Sequence, residues 1–483
     1  MDLGAIARQA MAKYGFDSKF PAAAAGEALS IVSEAGSSEN SKDLNRLLWS
    51  SIDNSDSQDL DQLEYCEQGQ DGEILVRVAI ADVDCYVKKG SKLDEYAAHN
   101  GTSVYTGVEV FPLFPDRLSK GLTSLLPNQE RRAMVIEYSV LPDGRIRPGG
   151  ISRATVMNKS KLVYEEVGDW LEGKGPMPHQ VEKTPGLKEQ LRLQDEASRR
   201  LKKYRMDSGA LEFDTIEAKP LMEDGHVKDL IIQRKNRARC IIEDFMVAAN
   251  GAMVGFLEKA GVPMIQRVVR SPRDWKGIVD AAAAYGTALP PQPDSKALSE
   301  FLDRRKEADP ERFPDLSVTV VKLLGPGEYV TQEPGKAGIG HFSLAVTDYT
   351  HATAPNRRYV DLIVQRLVKA VIDKKPAPYS LKELVDEAAW LTDREKGSKK
   401  VERYMRKSAA AVMLQGRIGE TFEALVTGAS EKGTYARLLS PSVEGRIIRG
   451  EKGLRIGDRI RVRLTYADPY KAYIDFEYPG GRR

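Results

Sequence analysis

A chain of 483 residues exceeds what one ordinary hydrophobic core organises, so a large body with a smaller appendage, or roughly two to four domains, is expected. Hydrophobic residues at 41% and charged residues at 29% exclude a disordered or fibrous chain. Because 72 Lys and Arg nearly cancel 70 Asp and Glu, the net charge of +2 excludes polyanion binding by bulk charge and leaves any such role to local patches.

The first stretch reads as short helices, DLGAIARQAMAKYG and AAAAGEALSIVSEAG, broken at Phe20-Pro21 and at Gly36-Ser37-Ser38. Strand character follows in RLLWSSI, LEYCEQ, EILVRVAIADVDCYV and RAMVIEYSVLPDGRIRPGGISRATVM, with turns at Gln70-Asp71-Gly72 and Pro142-Asp143-Gly144. From Leu187 helical periodicity dominates, in LKEQLRLQDEASRRLKKYR, RARCIIEDFMVAANGAMVGFLEKAG and YVDLIVQRLVKAVIDKK. In the last of these Val360, Ile363, Val364, Leu367, Val368 and Val371 share a face. Between 415 and 478 five short strands, FEALVTGAS, GTYARLLS, VEGRIIRG, DRIRVRLTYAD and KAYIDFEY, have the rhythm of an OB-type barrel. The expected fold class is α+β: a mixed, β-rich core covered by helices, a C-terminal five-stranded barrel, and a short helical N-terminal module for which a helix-turn-helix form is considered.

No apolar run approaches the roughly 20 residues that cross a bilayer, and MDLGAIARQAMAKYGF lacks the order of a secretory signal. Cys66, Cys85 and Cys240 are widely spaced, which suits reduced thiols better than disulfides or a zinc site. A cytoplasmic protein without membrane contact is expected.

The stretch SSIDNSDSQDLDQLE gathers Asp53, Asp56, Asp59, Asp61 and Glu64, whose mutual repulsion is costly without a counter-charge. Counted from Asp53, oxygens at Asp53, Ser55, Ser57, Asp59, Asp61 and Glu64 follow the ligand spacing of an EF-hand calcium loop. That loop requires Gly where Gln58 stands, and helices where strands are expected, so calcium is disfavoured. Alternatively Asp59-Leu60-Asp61 opens a strand, with both aspartates on one side, Leu60 in the core, and Asp53 arriving across a loop. Converging carboxylates of that kind suit Mg²⁺ and phosphodiester hydrolysis. A solvated acidic turn fits the spacing as well.

Further blocks follow in order: VAIADVDCYVKKGSKLDEYAAHNGTSVY, FPLFPDRLSKGLTSLLPNQERRAM, SGALEF and YTHATAPNRRYVDLIVQRL. With Ile52-Asp53 and Asp59-Leu60-Asp61 they resemble the signature of the RNase II and RNase R family, hydrolytic exoribonucleases with an RNB catalytic domain, over residues 49 to 402. The resemblance implies an N-terminal module at 1–45, an RNB domain at 46–412, and an OB-fold RNA-binding domain of ribosomal S-one type at 413–483. It implies processive 3′ to 5′ hydrolysis of single-stranded RNA to nucleoside 5′-monophosphates with Mg²⁺. The implied partner is the 3′ end of single-stranded RNA, bound by a monomer, with no protein partner inferable.

On the matching positions, the resemblance implies that Asp53, Asp59 and Asp61 are metal-site carboxylates. The next family position is ordinarily a fourth Asp and here is Gln62, an amide that can ligate but brings no charge; Asp56 or Glu64 could replace it. Gln62 is also what makes a weakened or inactive RNA-binding protein the alternative function. Arg357, in Thr353-Ala354-Pro355-Asn356-Arg357, matches the arginine that contacts the reacting phosphate in a motif usually read Thr-Ser-Pro-Ile-Arg. Apart from the family, an Arg in the first turn of an amphipathic helix beginning near Thr353 suits phosphate binding. Arg358 is read as a substrate contact or a solvated surface group.

Tyr105 and Phe213 match the aromatic pair that clamps the terminal bases, where stacking supplies roughly 1 to 3 kcal/mol per base. Core packing is the alternative for both. Tyr164 and Glu243 match positions contacting the terminal ribose, and a Glu in so apolar a helix calls for a hydroxyl or an internal salt bridge. Glu402 matches a glutamate near the catalytic centre, while His341 and His351 read as structural.

In the tail, Arg446, Arg449, Lys452, Arg455, Arg459, Arg461 and Arg463 with Tyr435, Phe422 and Tyr466 give the cation and aromatic mixture that binds single strands. Relatives usually carry two cold-shock OB-folds ahead of the RNB domain, where about 45 residues stand here. A differently built RNA entry path, more tolerant of paired RNA, is therefore expected.

Overall fold

Val76, Val78 and Ile80 alternate with Arg77 and Ala79, the period of a strand packed on one face and shared with a neighbour on the other. The computed structural model describes residues 2–32, 41–214, 217–223, 226–233, 235–310, 312–336, 338–430 and 433–480, and it places this strand inside a seven-stranded mixed sheet. Ahead of the sheet lie α1 (Leu3–Lys13) and α2 (Ala22–Ser30). The sheet begins with β1 (Lys42–Asp43), β2 (Ser50–Asp53), β3 (Gln62–Gln68) and β4 (Ile74–Ala81). Helix α3 (Lys92–Asn100) and the short pair β5 (Val104–Tyr105) and β6 (Val110–Phe111) intervene before β7 (Glu130–Val140), β8 (Ile146–Met157) and β9 (Ser160–Val163). The order is β1-β8-β7-β4-β3-β2-β9, with β1 and β8, and β2 and β9, running parallel.

One flank of the sheet is covered by α4 (Tyr164–Leu171), α5 (His179–Lys183), α6 (Leu187–Asp207) and, after the hairpin β10 (Glu217–Glu223) and β11 (His226–Gln233), by α7 (Arg237–Lys259). Strand β12 (Met264–Val268) is followed by α8 (Trp275–Ala283), α9 (Ser295–Ala308) and α10 (Phe313–Leu324), which share a core of their own, and then by its partner β13 (Glu328–Gln332). Helices α11 (Tyr359–Ile372) and α12 (Leu381–Leu414) complete the body. The closed barrel comprises β14 (Thr421–Ser430), β15 (Gly433–Leu438), β16 (Glu444–Arg449), β17 (Arg459–Asp468) and β18 (Tyr473–Glu477). The mixed, helix-covered body and five-stranded barrel are those expected.

Three features go beyond what the sequence reading gave. Among the described helices, α7 alone is long and apolar enough to cross a membrane by length and composition, and Glu243, Asp244 and Asn250 interrupt its apolar residues. It is a core helix: Ile241, Phe245, Ala249, Met253 and Leu257 are buried in the main cluster. Its polar groups are satisfied by protein, Asp244 accepting from Ser198 at 2.6 Å and pairing with Arg205, and Asn250 accepting the Ala352 N–H at 2.9 Å.

The two N-terminal helices pack into different cores. Ile6, Ala7 and Met11 of α1 pack with Val401 and Met405 of α12 and with Val104 of β5, whereas Ala24 and Ala28 of α2 join the main core. The break expected at Gly36-Ser37-Ser38 lies outside the described residues. Finally, β4 stops at Ala81 instead of running on, because the Asp82 side chain accepts the Cys85 N–H at 3.2 Å and turns the chain.

Buried charge fixes α11 against that turn. Lys369 lies 2.8 Å from Asp82 and 2.9 Å from Asp84, and Arg366 lies 3.0 Å from Asp84 and 2.8 Å from Asp94. Helix α12 starts in a reciprocal cap, Glu383 N–H to Ser380 Oγ at 3.2 Å and Ser380 N–H to Glu383 Oε2 at 2.7 Å. Its far end places Ala410, Ala411 and Leu414 in the barrel core, joining body and barrel.

His341 and His351 stack edge-on against Tyr349 with centroids at 5.5 and 5.7 Å, and Tyr329 contacts His351 Nδ1 at 2.8 Å. Burial holds His341 down to about 4 and His351 well below the usual imidazole value. The native state keeps both neutral while the unfolded chain takes up protons below about 6.5, so this contribution to stability is lost as pH falls from about 6.5 toward 4. His341→Asn should therefore show a flatter fall of the urea midpoint across that window than the parent chain. Equal slopes would refute the assignment.

Candidate active site

Three segments meet beyond the ends of β2 and β3: the loop 54–61, the β5 strand, and residues 353–358 leading into α11. The loop opens at Asp53, whose Oδ1 accepts the Asn54 N–H at 2.8 Å and the Ser57 hydroxyl at 2.6 Å. Lys161 closes it from β9, donating to the carbonyls of Ser55 at 3.0 Å and Ser57 at 2.5 Å. Leu60 is buried as expected, and its neighbours Asp59 and Asp61 are half-buried and 3% exposed. The strand itself begins at Gln62, because Leu60 N–H donates to Ser124 Oγ at 3.0 Å and its carbonyl accepts from Leu125, which holds this stretch off β2.

Asp61 is the hub. Its Oδ1 accepts the Asn356 N–H at 3.0 Å, and its Oδ2 lies 3.4 Å from Arg357 Nε. Asn356 is fixed in turn by the Thr123 hydroxyl at 2.6 Å. The helix expected near Thr353 begins instead at Tyr359, so Arg357 stands ahead of it and not in its first turn. Pro355 disfavours helical backbone at Ala354, whose N–H is taken by Asp361 Oδ1 at 2.8 Å. The Arg357 carbonyl accepts from Ser103 N–H at 2.9 Å and Thr102 Oγ1 at 3.1 Å, which brings β5 and Tyr105 alongside. The Arg357 side chain remains 44% exposed.

Burial pushes Asp61 up to about 7, aided by Asp59 and opposed by Arg357. Asp59 is raised by burial and by Asp53, again against Arg357. Tyr105 exposes 41% of its surface, yet its hydroxyl is raised by burial and by the fields of Asp59, Asp61 and Asp53. Tyr164, at the start of α4, is half-buried and raised by burial, then by Asp53 and Glu64. Arg239, the next turn's neighbour of Glu243 on α7, lies 4.3 Å over the Tyr164 ring and donates to Asn54 Oδ1 at 3.2 Å. Asp53, Asp59, Asp61, Tyr105, Tyr164 and Arg357 thus share one electrostatic neighbourhood.

The remaining predicted residues are placed differently. Glu243 is not desolvated within α7: it is 44% exposed and pairs with Lys235 at 2.5 Å, which satisfies the salt-bridge reading, and the buried acid of that helix is its neighbour Asp244. Arg358 is no solvated group; its Nε and Nη2 bind Asp361 at 2.8 and 2.7 Å. Phe213 packs with Leu211 against the α8–α10 cluster, and among the described residues no ring contact joins it to Tyr105. Glu402 is half-buried in α12, beside Val401, which packs under β5. Gln62 is buried at the start of β3, and Asp56 is exposed. On the barrel, Phe422 is a core residue, Arg463 pairs with Glu477 and Arg461 lies 3.1 Å from Glu423, while Tyr466, Tyr470 and Tyr473 are exposed.

Among the described residues no three Asp, Glu, His or Cys side chains converge on one point. The donor chemistry nevertheless fits a small, hard cation. The donors are oxygens, the carboxylates raise one another's proton affinity, and Glu64 is a fully buried carboxylate with neither oxygen hydrogen-bonded. Asp53, Asp59 and Asp61, with Gln62 beside them, are the residues that could hold it.

Residues 41–374 match the RNB domain, and 420–478 match the RNase II-type exonuclease C-terminal S1 domain. The chain belongs to the RNB family. Ribonuclease R 1 of Lactococcus lactis is 28% identical over 99% of this chain and 61% of its own length. The RNB-family chain described here thus spans about three-fifths of that relative. Mycoplasma genitalium RNase R in complex with ribose-methylated single-stranded RNA shares the fold, with a TM-score of 0.87 at 23% identity over 99% of this chain and 78% of that one. The same protein in complex with double-stranded RNA gives 0.85 at 24%, covering 99% and 83%.

Proposed function

We propose that the chain is a Mg²⁺-dependent 3′ to 5′ exoribonuclease that degrades single-stranded RNA processively to nucleoside 5′-monophosphates. The observation that carries this reading is the Asp61–Arg357 contact at 3.4 Å within a cluster of carboxylates and beside the accessible ring of Tyr105. Family membership supports the reaction class. Asp53, Asp59 and Asp61 with Gln62 would hold Mg²⁺, which when bound supplies Lewis-acid stabilisation of the charge developing on the phosphate.

The chain's own residues do the rest. Asp61 holds Arg357 through Nε, which leaves the guanidinium Nη groups to donate to the scissile phosphate. Tyr105 offers a ring face to the terminal base, a contact indifferent to sequence. Tyr164, a neutral phenol whose hydroxyl burial raises further, keeps a proton to donate to a ribose oxygen. Phe213, Glu243 and Glu402 belong to the same proposed site by their match to the family motifs, with Glu243 also paired to Lys235 and Phe213 packed on the α8–α10 core, while Arg358 is held by Asp361 beside it. Exposed tyrosines and arginines of the barrel keep the strand bound between cleavages, which favours processivity by a monomer.

Incubation of end-labelled single-stranded RNA with the protein should release mononucleotides with Mg²⁺ and none in chelator. Intact RNA that shifts on a gel in both conditions would favour the alternative, an inactive RNA-binding protein. An RNA carrying a 3′ overhang on a duplex tests tolerance of pairing: degradation through the junction shows tolerance, and stalling there shows none.

A further inference from the structure

Gln62 leaves the carboxylate cluster one charge short of the family pattern, and two residues further along the same strand stands a carboxylate that nothing in the described protein uses. Glu64 is 0% exposed and sits opposite Ser50 in the β2–β3 register. Both of its oxygens, and Ser50 Oγ, lack a hydrogen-bond partner. A buried carboxylate with no donor and no cation is among the most costly arrangements a fold can keep. The charge that bears on Glu64 is that of Asp53, another anion, and both act on the Tyr164 hydroxyl. Residues two apart on a strand face the same side, so Glu64 shares the side of Gln62, with one methylene more reach than an aspartate. Asp56, the other carboxylate near enough in sequence, is exposed.

We propose that Glu64 supplies the charge that Gln62 lacks, adding an anionic ligand for a second divalent cation beside the one nearer Asp61. This rests on the reading of the cluster as a Mg²⁺ site, and it explains how this chain tolerates an amide at position 62. It makes Glu64 a metal-positioning residue of this chain, outside the motif that marks the family.

Mn²⁺ binding to the full chain, followed by electron paramagnetic resonance and titration calorimetry, tests it without reference to activity. The parent chain should bind two ions. Glu64→Gln should weaken one of them by roughly ten- to a hundredfold and leave the other in place, and Gln62→Asp added to Glu64→Gln should restore it. In chelator, Glu64→Gln should unfold at a higher temperature than the parent, since the uncompensated acid is gone, and Mn²⁺ should stabilise it less. Parent-like stoichiometry and affinity in Glu64→Gln would overturn the role of Glu64 while leaving the Mg²⁺ reading intact. Absence of any Mn²⁺ binding by the parent would overturn both. Should Glu64→Gln not fold, Gln62→Asp alone decides: a change within about threefold supports a charge already supplied, and a new or tenfold tighter site would refute it.

Discussion

Asp61→Asn should lower the rate of RNA hydrolysis by roughly a hundred- to a thousandfold while RNA affinity in chelator stays within about threefold. The amide keeps the size of the side chain and an acceptor for the Asn356 N–H at 3.0 Å, so the loop 353–358 retains its anchor. What is lost is the charge that orients Arg357 from 3.4 Å and that the proposed Mg²⁺ site requires. Base stacking on Tyr105 and contacts on the barrel are untouched, and removing an anion does not repel RNA. Initial rates at saturating RNA, paired with gel shifts, measure the two quantities; unchanged turnover would end the assignment. Stability adds an independent check. The native state holds the Asp61 proton up to about 7, more tightly than the unfolded chain does, so stability falls as pH rises from the ordinary carboxylate value toward 7. In chelator the variant should therefore unfold at a higher temperature than the parent at pH about 8 and at nearly the same temperature at pH about 5.

The barrel strands were legible in the sequence almost to the residue, since each alternates apolar and polar residues between Gly and Pro turns, whereas its closure runs through the non-consecutive pairs β16–β18 and β14–β17. The acidic motif was legible only in part: its spacing left a calcium loop, an Mg²⁺ site and a solvated turn open, the family resemblance chose among them, and the structure puts Asp53 at the end of β2 and Asp59 and Asp61 in the loop before β3. What stayed hidden depended on partners distant in sequence. Glu243 and Asp244 are adjacent, and only α6, which supplies Ser198 and Arg205, decides that the second is the buried acid. Glu64 looks like one more acid of the run until its pairing with Ser50 seals it from solvent. Asn356 was read only as a departure from a motif, although its buried side chain and N–H lock the arginine loop to Thr123 and Asp61. Arg239 carried a weak signal, helical spacing from Glu243 just after the N-cap Asn236, but its target Tyr164 lies on another element.

Arg357 and Arg358 are neighbours of one type, and their replacements should fail in opposite ways. Arg358→Met should destabilise the protein by roughly 3 to 5 kcal/mol. Its two bonds to Asp361 are 2.8 and 2.7 Å long, Asp361 is 0% exposed, and without the guanidinium that carboxylate would keep only the Ala354 N–H at 2.8 Å. Arg358→Met with Asp361→Leu should recover most of the loss, because the cost lies in the orphaned charge and not in the missing contact. Arg357→Ala should leave stability within about 0.5 kcal/mol, since its side chain is half in solvent and makes one loose ion pair, yet it should lower turnover by roughly a hundredfold or more. Arg357→Lys should restore little, because an ammonium cannot present the planar fork that meets Asp61 on one edge and phosphate on the other. Urea unfolding of each variant, set beside its rate of mononucleotide release, separates the two arginines. Equal loss of stability in both, or full turnover in Arg357→Ala, would show that the fold does not divide the pair into one structural and one substrate-facing cation.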